Sequence, residues 1–560
     1  MSVVKRLYFY VVAFVSLMVA ANGAALLLRY LFDTVAGSRL AGEGSDILSF
    51  GIAMTLVGAP LWLLHWGFAQ RQVRLHAEET GAVLRKLYIY GVMFVAATVA
   101  FFVARSVLTD LMQAQSVSNT SLAHLVVWAG VWAFHVAIER GEGQPLPGSR
   151  TVRRWYMYVV SAYSLLFLVQ ALATVLSVLM TTAYEGLFQG AVMGGRQELW
   201  SPQMQGAVAS ALVAVTWWAW HWTVLARGDA QSTLRRVYLF LFAFLFGVLT
   251  AVIAAAQMVY VVFAWALGVP DLPALSVHFE RVPMLLPTLL VGLAMLGYHW
   301  GVVQDEGGMR RAGDLSMAGR AYQYIMAAVG LGTLATGTAI LIGTLLGVAL
   351  PEETLASDGE TWRRTMALAL TLLVIGAPLW FWYWGRVQRT VETTGTDERR
   401  ALPRRIFIYG TLGVLALAGL GTLTGFLATT LQALLDGKAF LPTIRDARWL
   451  LATAVTTAGF FAYYAQVLRE DQRAGAEQEV QGKSVTVAVG ENARELAEHL
   501  RVALGPRTSV LWVAMAEGAT PAPVPTDEEV AAIVQRVRDA PTKRVLVTAT
   551  DGSVQVLPIR

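Results

Sequence analysis

The chain has 560 residues, of which 56% are apolar and only 14% charged, with a mean hydropathy of +0.54. Soluble proteins carry about 25% charged residues, so most of this chain lacks the surface charge that water demands, and a wholly soluble fold is excluded. Cysteine is absent, which excludes disulfides, thiolate nucleophiles, Cys-ligated zinc and iron–sulfur clusters. The net charge of +5 is no nucleic-acid footprint, because the basic residues sit in short loops beside apolar runs, where the positive-inside rule puts them.

Many uncharged runs of about 18 to 25 residues are long enough to cross a hydrocarbon core of roughly 30 Å as helices. Lipid offers no partner to backbone N–H and C=O groups, so such runs must be helical. The first follows Lys5-Arg6 and continues to Leu28, too long for the apolar core of a signal peptide, which predicts a retained first helix.

Its opening, basic-basic-x-Tyr-x-Tyr, recurs along the chain. It reads Lys5-Arg6-Leu7-Tyr8-Phe9-Tyr10, then Arg85-Lys86-Leu87-Tyr88-Ile89-Tyr90, then Arg153-Arg154-Trp155-Tyr156-Met157-Tyr158. A fourth copy is Arg235-Arg236-Val237-Tyr238-Leu239-Phe240, and weaker ones follow at Arg320-Ala321-Tyr322-Gln323-Tyr324 and at Arg404-Arg405-Ile406-Phe407-Ile408-Tyr409. The period is about 70 to 85 residues, and each opening leads into one apolar helix, a loop and a second apolar helix.

The second helix of each unit closes on a Trp-x-x-His-Trp pattern. It is intact at Trp62/His65/Trp66 and Trp218/His221/Trp222. The second unit keeps Trp132 and His135 with Val136, and the fourth keeps His299 and Trp300 with Leu296. The fifth has Trp380 and Trp384 with Tyr383 at the histidine position, and the sixth has Phe460, Tyr463 and Tyr464. Gly-Ala-Pro-Leu-Trp is shared by Gly58–Trp62 and Gly376–Trp380, and the prolines predict kinks beside the aromatic cluster.

These patterns predict an all-α polytopic membrane protein of about twelve transmembrane helices in six tandem hairpins. The hairpins fall at about residues 1–76, 77–143, 144–228, 229–306, 307–392 and 393–468. With two helices per unit, every opening and closing motif lies on one membrane face. The loops on that face carry roughly twice the Lys and Arg of the others, which marks the face as cytoplasmic. Both termini are therefore expected inside, in a cell inner (plasma) membrane.

A polar linker over 469–483 leads into a small soluble region at 484–560. Strand-like runs at Ser484–Val489, Ser509–Ala514, Arg544–Thr548 and Ser553–Pro558 alternate with helix-like stretches at Asn492–Leu504 and Asp527–Asp539. Thr526 with Glu529 reads as a capping box. The β-α-β-α-β-β order predicts a small α/β domain. Its first turn, Val489-Gly490-Glu491-Asn492, is not Gly-rich enough for a phosphate loop. The region reads as an interaction module for a cytoplasmic protein partner.

The paired motifs resemble a family of prokaryotic membrane proteins catalogued only as a domain of unknown function, over roughly residues 1–470. The resemblance implies the fold and the membrane location, and it brings no activity with it.

The opening Lys and Arg suit snorkelling to lipid phosphates, with Tyr8, Tyr88, Tyr156, Tyr238 and Tyr322 at headgroup depth beside Trp62, Trp66, Trp132, Trp218, Trp222, Trp300, Trp380 and Trp384. The four equivalent histidines, His65, His135, His221 and His299, are the weak candidates for any cofactor site. A neutral imidazole there is expected to bond a backbone carbonyl or a Tyr of the same hairpin. Replacement by Tyr383 and Tyr463 favours that role over a quinone or lipid-headgroup pocket, and over haem or metal ligation. If the layer holds a ligand, His65 and His221 are the first places to look. The small residues Gly330, Gly332, Gly337, Gly419, Gly421 and Gly425 predict close packing of the ninth and eleventh helices. No carboxylate falls mid-span, which argues against ion-coupled transport. No catalytic residue, metal site or cofactor is expected. The expectation is a non-enzymatic scaffold or sensor, with an uncoupled transporter or channel for a small neutral or lipidic substrate as the alternative. A haem- or quinone-binding redox protein stands third.

Overall fold

The apolar runs fold as helices in the computed structural model of the chain. It describes residues 2–37, 43–143, 147–188, 198–269, 275–306, 310–311, 314–315, 317–350, 359–394, 396–481, 483–488, 493–505, 508–513, 526–540, 542, 544–550 and 553–559. The turn at 489–492 and parts of the longer loops lie outside the described residues.

Among the described residues, twelve helices are long and apolar enough to cross a membrane. They are α1 (Val3–Val35), α2 (Glu43–Leu75), α3 (Val83–Met112), α4 (Asn119–Gly141), α5 (Pro147–Leu187) and α6 (Pro202–Leu225). There follow α7 (Thr233–Ala266), α8 (Val282–Asp305), α9 (Met317–Ala349), α10 (Gly359–Thr394), α11 (Leu402–Leu435) and α12 (Arg448–Gln481). The polar stretch after Arg469 stays helical to Gln481, as its Ala, Glu, Gln and Arg content favours. Two compact units are present: residues 1–385 with 425–453, and residues 386–424 with 454–560.

In the first unit each helix packs on its hairpin partner, α1 on α2, α3 on α4, α5 on α6 and α7 on α8. Neighbouring hairpins are joined where α1 meets α4, where α3 meets α5 and α6, and where α5 meets α8. Glycine permits the closest approach within a hairpin. A Cβ at Gly58 would lie 2.5 Å from the backbone nitrogen of Ala20, and one at Gly376 would lie 2.5 Å from that of Leu334. The glycine of the shared Gly-Ala-Pro-Leu-Trp stretch is thus where α2 meets α1 and α10 meets α9. The helix runs unbroken through Pro60 and through Pro378. Gly330 and Gly337 likewise face Trp380 and Leu372 of α10, so these glycines of α9 serve contact within their own hairpin. Small residues there admit the neighbouring helix's backbone.

Among the described residues, two stretches of the spanning helices depart from α-helical winding. Trp220–Leu225 at the end of α6 and Tyr238–Phe244 near the start of α7 are π-helical.

In the second unit, Gly419 of α11 faces Thr457 of α12. The soluble part has strands β1 (Ser484–Ala488), β2 (Ser509–Trp512), β3 (Arg544–Thr550) and β4 (Ser553–Ile559). Helices α13 (Ala493–Leu504) and α14 (Asp527–Asp539) lie between the first three. The sheet order is β2-β1-β3-β4, with β1 parallel to both neighbours and β3-β4 an antiparallel hairpin. Alternation places Val485, Val487, Val510, Val545 and Val547 on one face, buried under Leu496, Leu500, Ile533 and Val537 of the two helices. The capping box of Thr526 and Glu529 is formed at the start of α14.

Candidate functional site

The repeat motifs converge into a buried polar layer. In each of the four layer histidines Nδ1 lies 2.8 to 2.9 Å from the carbonyl oxygen four residues earlier: Leu61, Val131, Trp217 and Met295. A carbonyl can only accept, so this contact assigns the hydrogen to Nδ1 and leaves Nε2 of the neutral ring as an acceptor.

Tyrosine of the same hairpin's opening helix supplies the donor. Tyr156 Oη lies 2.9 Å from His221 Nε2, and Tyr88 Oη lies 3.4 Å from His135 Nε2. Each tyrosine also accepts from a tryptophan of the preceding hairpin. Trp62 Nε1 donates to Tyr88 at 3.0 Å, Trp132 to Tyr156 at 2.9 Å and Trp218 to Tyr238 at 3.3 Å. The unit of construction is therefore a directed chain, Trp N–H to Tyr O–H to His Nε2, which crosses one hairpin seam and ends on a helix carbonyl. An indole N–H at one end and an amide carbonyl at the other exchange no proton readily, so the chain binds hairpins together and relays nothing.

The variants follow the same logic. In the fifth hairpin Tyr383 replaces histidine, and its hydroxyl lies 2.8 Å from that of Tyr322. Trp380 and Trp384 are buried beside it. In the first hairpin no earlier unit covers the layer: Tyr8 is 57% exposed, with its ring 5.6 Å from His65. Tyr88, Tyr156, Tyr238 and Tyr322 are buried against protein instead of facing lipid. Trp66 and Trp222 are buried too, each beneath an arginine of the following hairpin, Arg85 at 5.0 Å and Arg235 at 4.2 Å from the ring centroid. Trp300 is the exposed member, packed edge-on to Phe244.

A second layer lies beneath, and sequence reasoning missed it. The opening cations, expected to reach lipid phosphates, are paired with acids at or just past the end of the same hairpin. Arg6 donates to Glu79 at 2.7 and 2.9 Å, and Arg154 to Asp229 at 2.7 and 2.8 Å. Arg85 and Lys86 share Glu142, and Arg235 donates to Glu306 at 2.7 Å. Within the second unit Arg404 makes the equivalent pair with Asp471, at 2.6 and 3.0 Å. A usable signal existed in the sequence: Glu142, Asp229, Glu306 and Asp471 each fall six or seven residues beyond the last position of the closing motif. The Arg6 guanidinium holds the Glu79 carboxyl down to about 2. Burial works against ionisation of Asp229, but hydrogen bonds from Ser232, Arg154 and Tyr158 outweigh it and hold its carboxyl below the usual range.

No group of three or more His, Asp or Glu positioned for a metal ion occurs among the described residues. His278, in a short turn before α8, lies 2.9 Å from the carbonyl of Val261. Two of the cavities beside the first unit's helices bear on these residues. One, of about 470 Å³, is lined by Arg105, Asp110, Gln170, Thr174 and Gln203, towards the ends of the helices opposite the motif layer. The other, of about 440 Å³, reaches the layer itself at Trp218, Tyr298 and His299.

Tandem hairpins of apolar helices, stitched by Trp–Tyr–His chains and clamped by Arg–carboxylate pairs, define a repeated multi-pass helical membrane protein. The family described as Domain of unknown function (DUF5671) matches three times, at residues 6–134, 154–298 and 320–459. The chain belongs to this family, and each match spans two hairpins. No curated protein matches the chain. No solved structure matches it either.

Proposed function

We propose that the chain is a non-enzymatic membrane scaffold or sensor whose C-terminal α/β domain meets a cytoplasmic protein partner. The observation that carries this reading is where the motif residues are spent. His135 and His221, two of the four candidate histidines, have both ring nitrogens engaged within the protein, and Tyr383 preserves the bonding in place of histidine. A layer committed to joining hairpins builds a platform.

The α/β domain supplies the partner surface in this reading. Both helices pack on one face of the sheet. The opposite face carries the cross-strand row Leu511, Thr486, Leu546 and Leu557, and Leu511 is 58% exposed. We place the motif face and both termini in the cytoplasm of a cell bounded by its plasma (inner) membrane, on the excess of Lys and Arg in that face's loops. A reporter fused after Arg469 is expected inside the cell, and an outside location overturns this topology. The scaffold reading fails if proteoliposomes holding the chain show solute flux that Gln170→Ala and Thr174→Ala abolish.

That flux is the mark of the second reading, an uncoupled transporter or channel for a small neutral or lipidic substrate. It is favoured by the polar cavity at Arg105, Gln170 and Gln203, since polar groups lining a water-sized opening within a helical bundle are what a solute path needs. A redox protein carrying haem or quinone ranks third, and an absorption spectrum with a Soret band, or extractable quinone, would raise it.

A further inference from the structure

The fourth hairpin breaks the bonding rule of the layer. His299 Nδ1 donates to the Met295 carbonyl at 2.9 Å, as its counterparts do. Its Nε2, however, is buried and has no hydrogen-bond partner among the described residues. The tyrosine that should reach it, Tyr238, has its ring centroid 6.1 Å away and accepts from Trp218. Tyr238 opens one of the two π-helical segments, and Trp220–Leu225 on the same seam is the other. A π-turn adds a residue to the turn and re-aims its side chains, and such turns cluster at functional positions. A buried acceptor left unpaired is destabilising, and a ligand that donates to it relieves that cost.

His299 lines the cavity of about 440 Å³ between α5, α6 and α8. Most of the wall is apolar, including Leu168, Leu172, Val175, Leu290 and Met295. Of the other polar atoms, Trp218 Nε1 donates to Tyr238, and the Tyr298 hydroxyl accepts from Trp222 at 2.9 Å. The shape has a direction. His299 sits at the level of the motif layer, while Leu290 lies nine residues back on α8, about 13 Å along the axis. The cavity thus runs from the layer towards mid-span, polar at one end only. Leu172 and Leu290, 40% and 44% exposed, form its side towards the surrounding lipid.

We propose that this cavity binds a membrane-soluble alcohol: an apolar chain or ring system with one hydroxyl, which donates to His299 Nε2. The acceptor decides the chemistry. A hydroxyl satisfies Nε2, whereas an ether, an ester or an oxidised quinone brings a second acceptor and is rejected. Aliphatic alcohols and quinols share the required donor.

The test uses the full chain in phosphatidylcholine nanodiscs and a hexadecanol probe bearing a mid-chain diazirine. After irradiation, adducts are expected on Leu172, Val175 or Leu290. Unlabelled hexadecanol is expected to suppress them about tenfold more effectively than hexadecyl methyl ether, the worth of one hydrogen bond to a buried acceptor. His299→Phe removes that preference, while His124→Phe, outside the cavity, keeps it. A decyl-substituted benzoquinol that competes better than hexadecanol assigns the aromatic source, and the reverse assigns the aliphatic one. Equal competition by alcohol and ether on the natural protein overturns the proposal, whether or not the variant folds. So does labelling that His299→Phe leaves unchanged.

Discussion

Arg85 and Glu142 stand 57 residues apart in sequence and form an ion pair in which both side chains are buried, with Arg85 Nε donating at 2.9 Å. Lys86 Nζ reaches the other carboxylate oxygen at 2.8 Å. One acid thus closes the second hairpin at its base and pairs with both of its opening cations. Removing one member of such a group strands buried charge. Glu142→Gln is expected to destabilise the membrane domain by about 3 to 5 kcal/mol. Asp436→Asn, at an exposed pair with Lys438, is expected to cost well under about 1 kcal/mol. SDS-induced unfolding in mixed micelles, followed by tryptophan fluorescence, measures both. Equal effects would remove the clamp from the account.

Glu79 gives the same clamp a pH signature. Its carboxyl is held down to about 2 against an ordinary 4.5 by Arg6. A depressed folded value means the unfolded chain takes up the proton first, so the pair's contribution is complete above about pH 5 and falls away as pH drops from there towards 2. Unfolding curves across that range should show stability declining with acid, and Glu79→Gln should flatten the decline. An unchanged slope in the variant would contradict it.

Tyr156 holds the seam between the second and third hairpins, because it accepts from Trp132 and donates to His221. Tyr156→Phe leaves a buried indole N–H and a buried imidazole nitrogen without partners, at a cost of about 2 to 4 kcal/mol. Tyr8→Phe, at the exposed edge of the layer, is expected to be nearly neutral. The same unfolding assay separates them, and a neutral Tyr156→Phe would mean the chain carries no load.

Gly58 tests the close approach of the first two helices. A Cβ there would lie 2.5 Å from Ala20 N, so Gly58→Ala must push α2 from α1 and is expected to cost about 1 to 3 kcal/mol. Gly332, with nothing within 4 Å of a Cβ, is expected to gain slightly on substitution by Ala, since alanine is the better helix former. A stabilised Gly58→Ala protein would rule out the tight contact.

Sequence alone determined the helical membrane class and the α/β tail, because both rest on local quantities. Run length and missing charge make Val3–Val35 or Val282–Asp305 membrane helices whatever their neighbours. Period-two valines likewise make β1 and β3 strands. The repeated Tyr, Trp and His positions were legible too, since recurrence is a property of the string. Tertiary structure alone decided what those residues do. Arg85 finds Glu142 and not a lipid phosphate because chain reversal returns α4 to the base of α3. The two histidines with intact flanking tryptophans looked most like sites. Yet His221 is saturated by Tyr156, and His65 lies half-exposed at the open edge. Among the four layer histidines, the buried ring nitrogen without a partner among the described residues belongs to His299, whose motif is damaged. The motif records which side chains are present, but whether a hydroxyl reaches a ring nitrogen depends on where π-winding turns Tyr238, and that is fixed only when the helices pack.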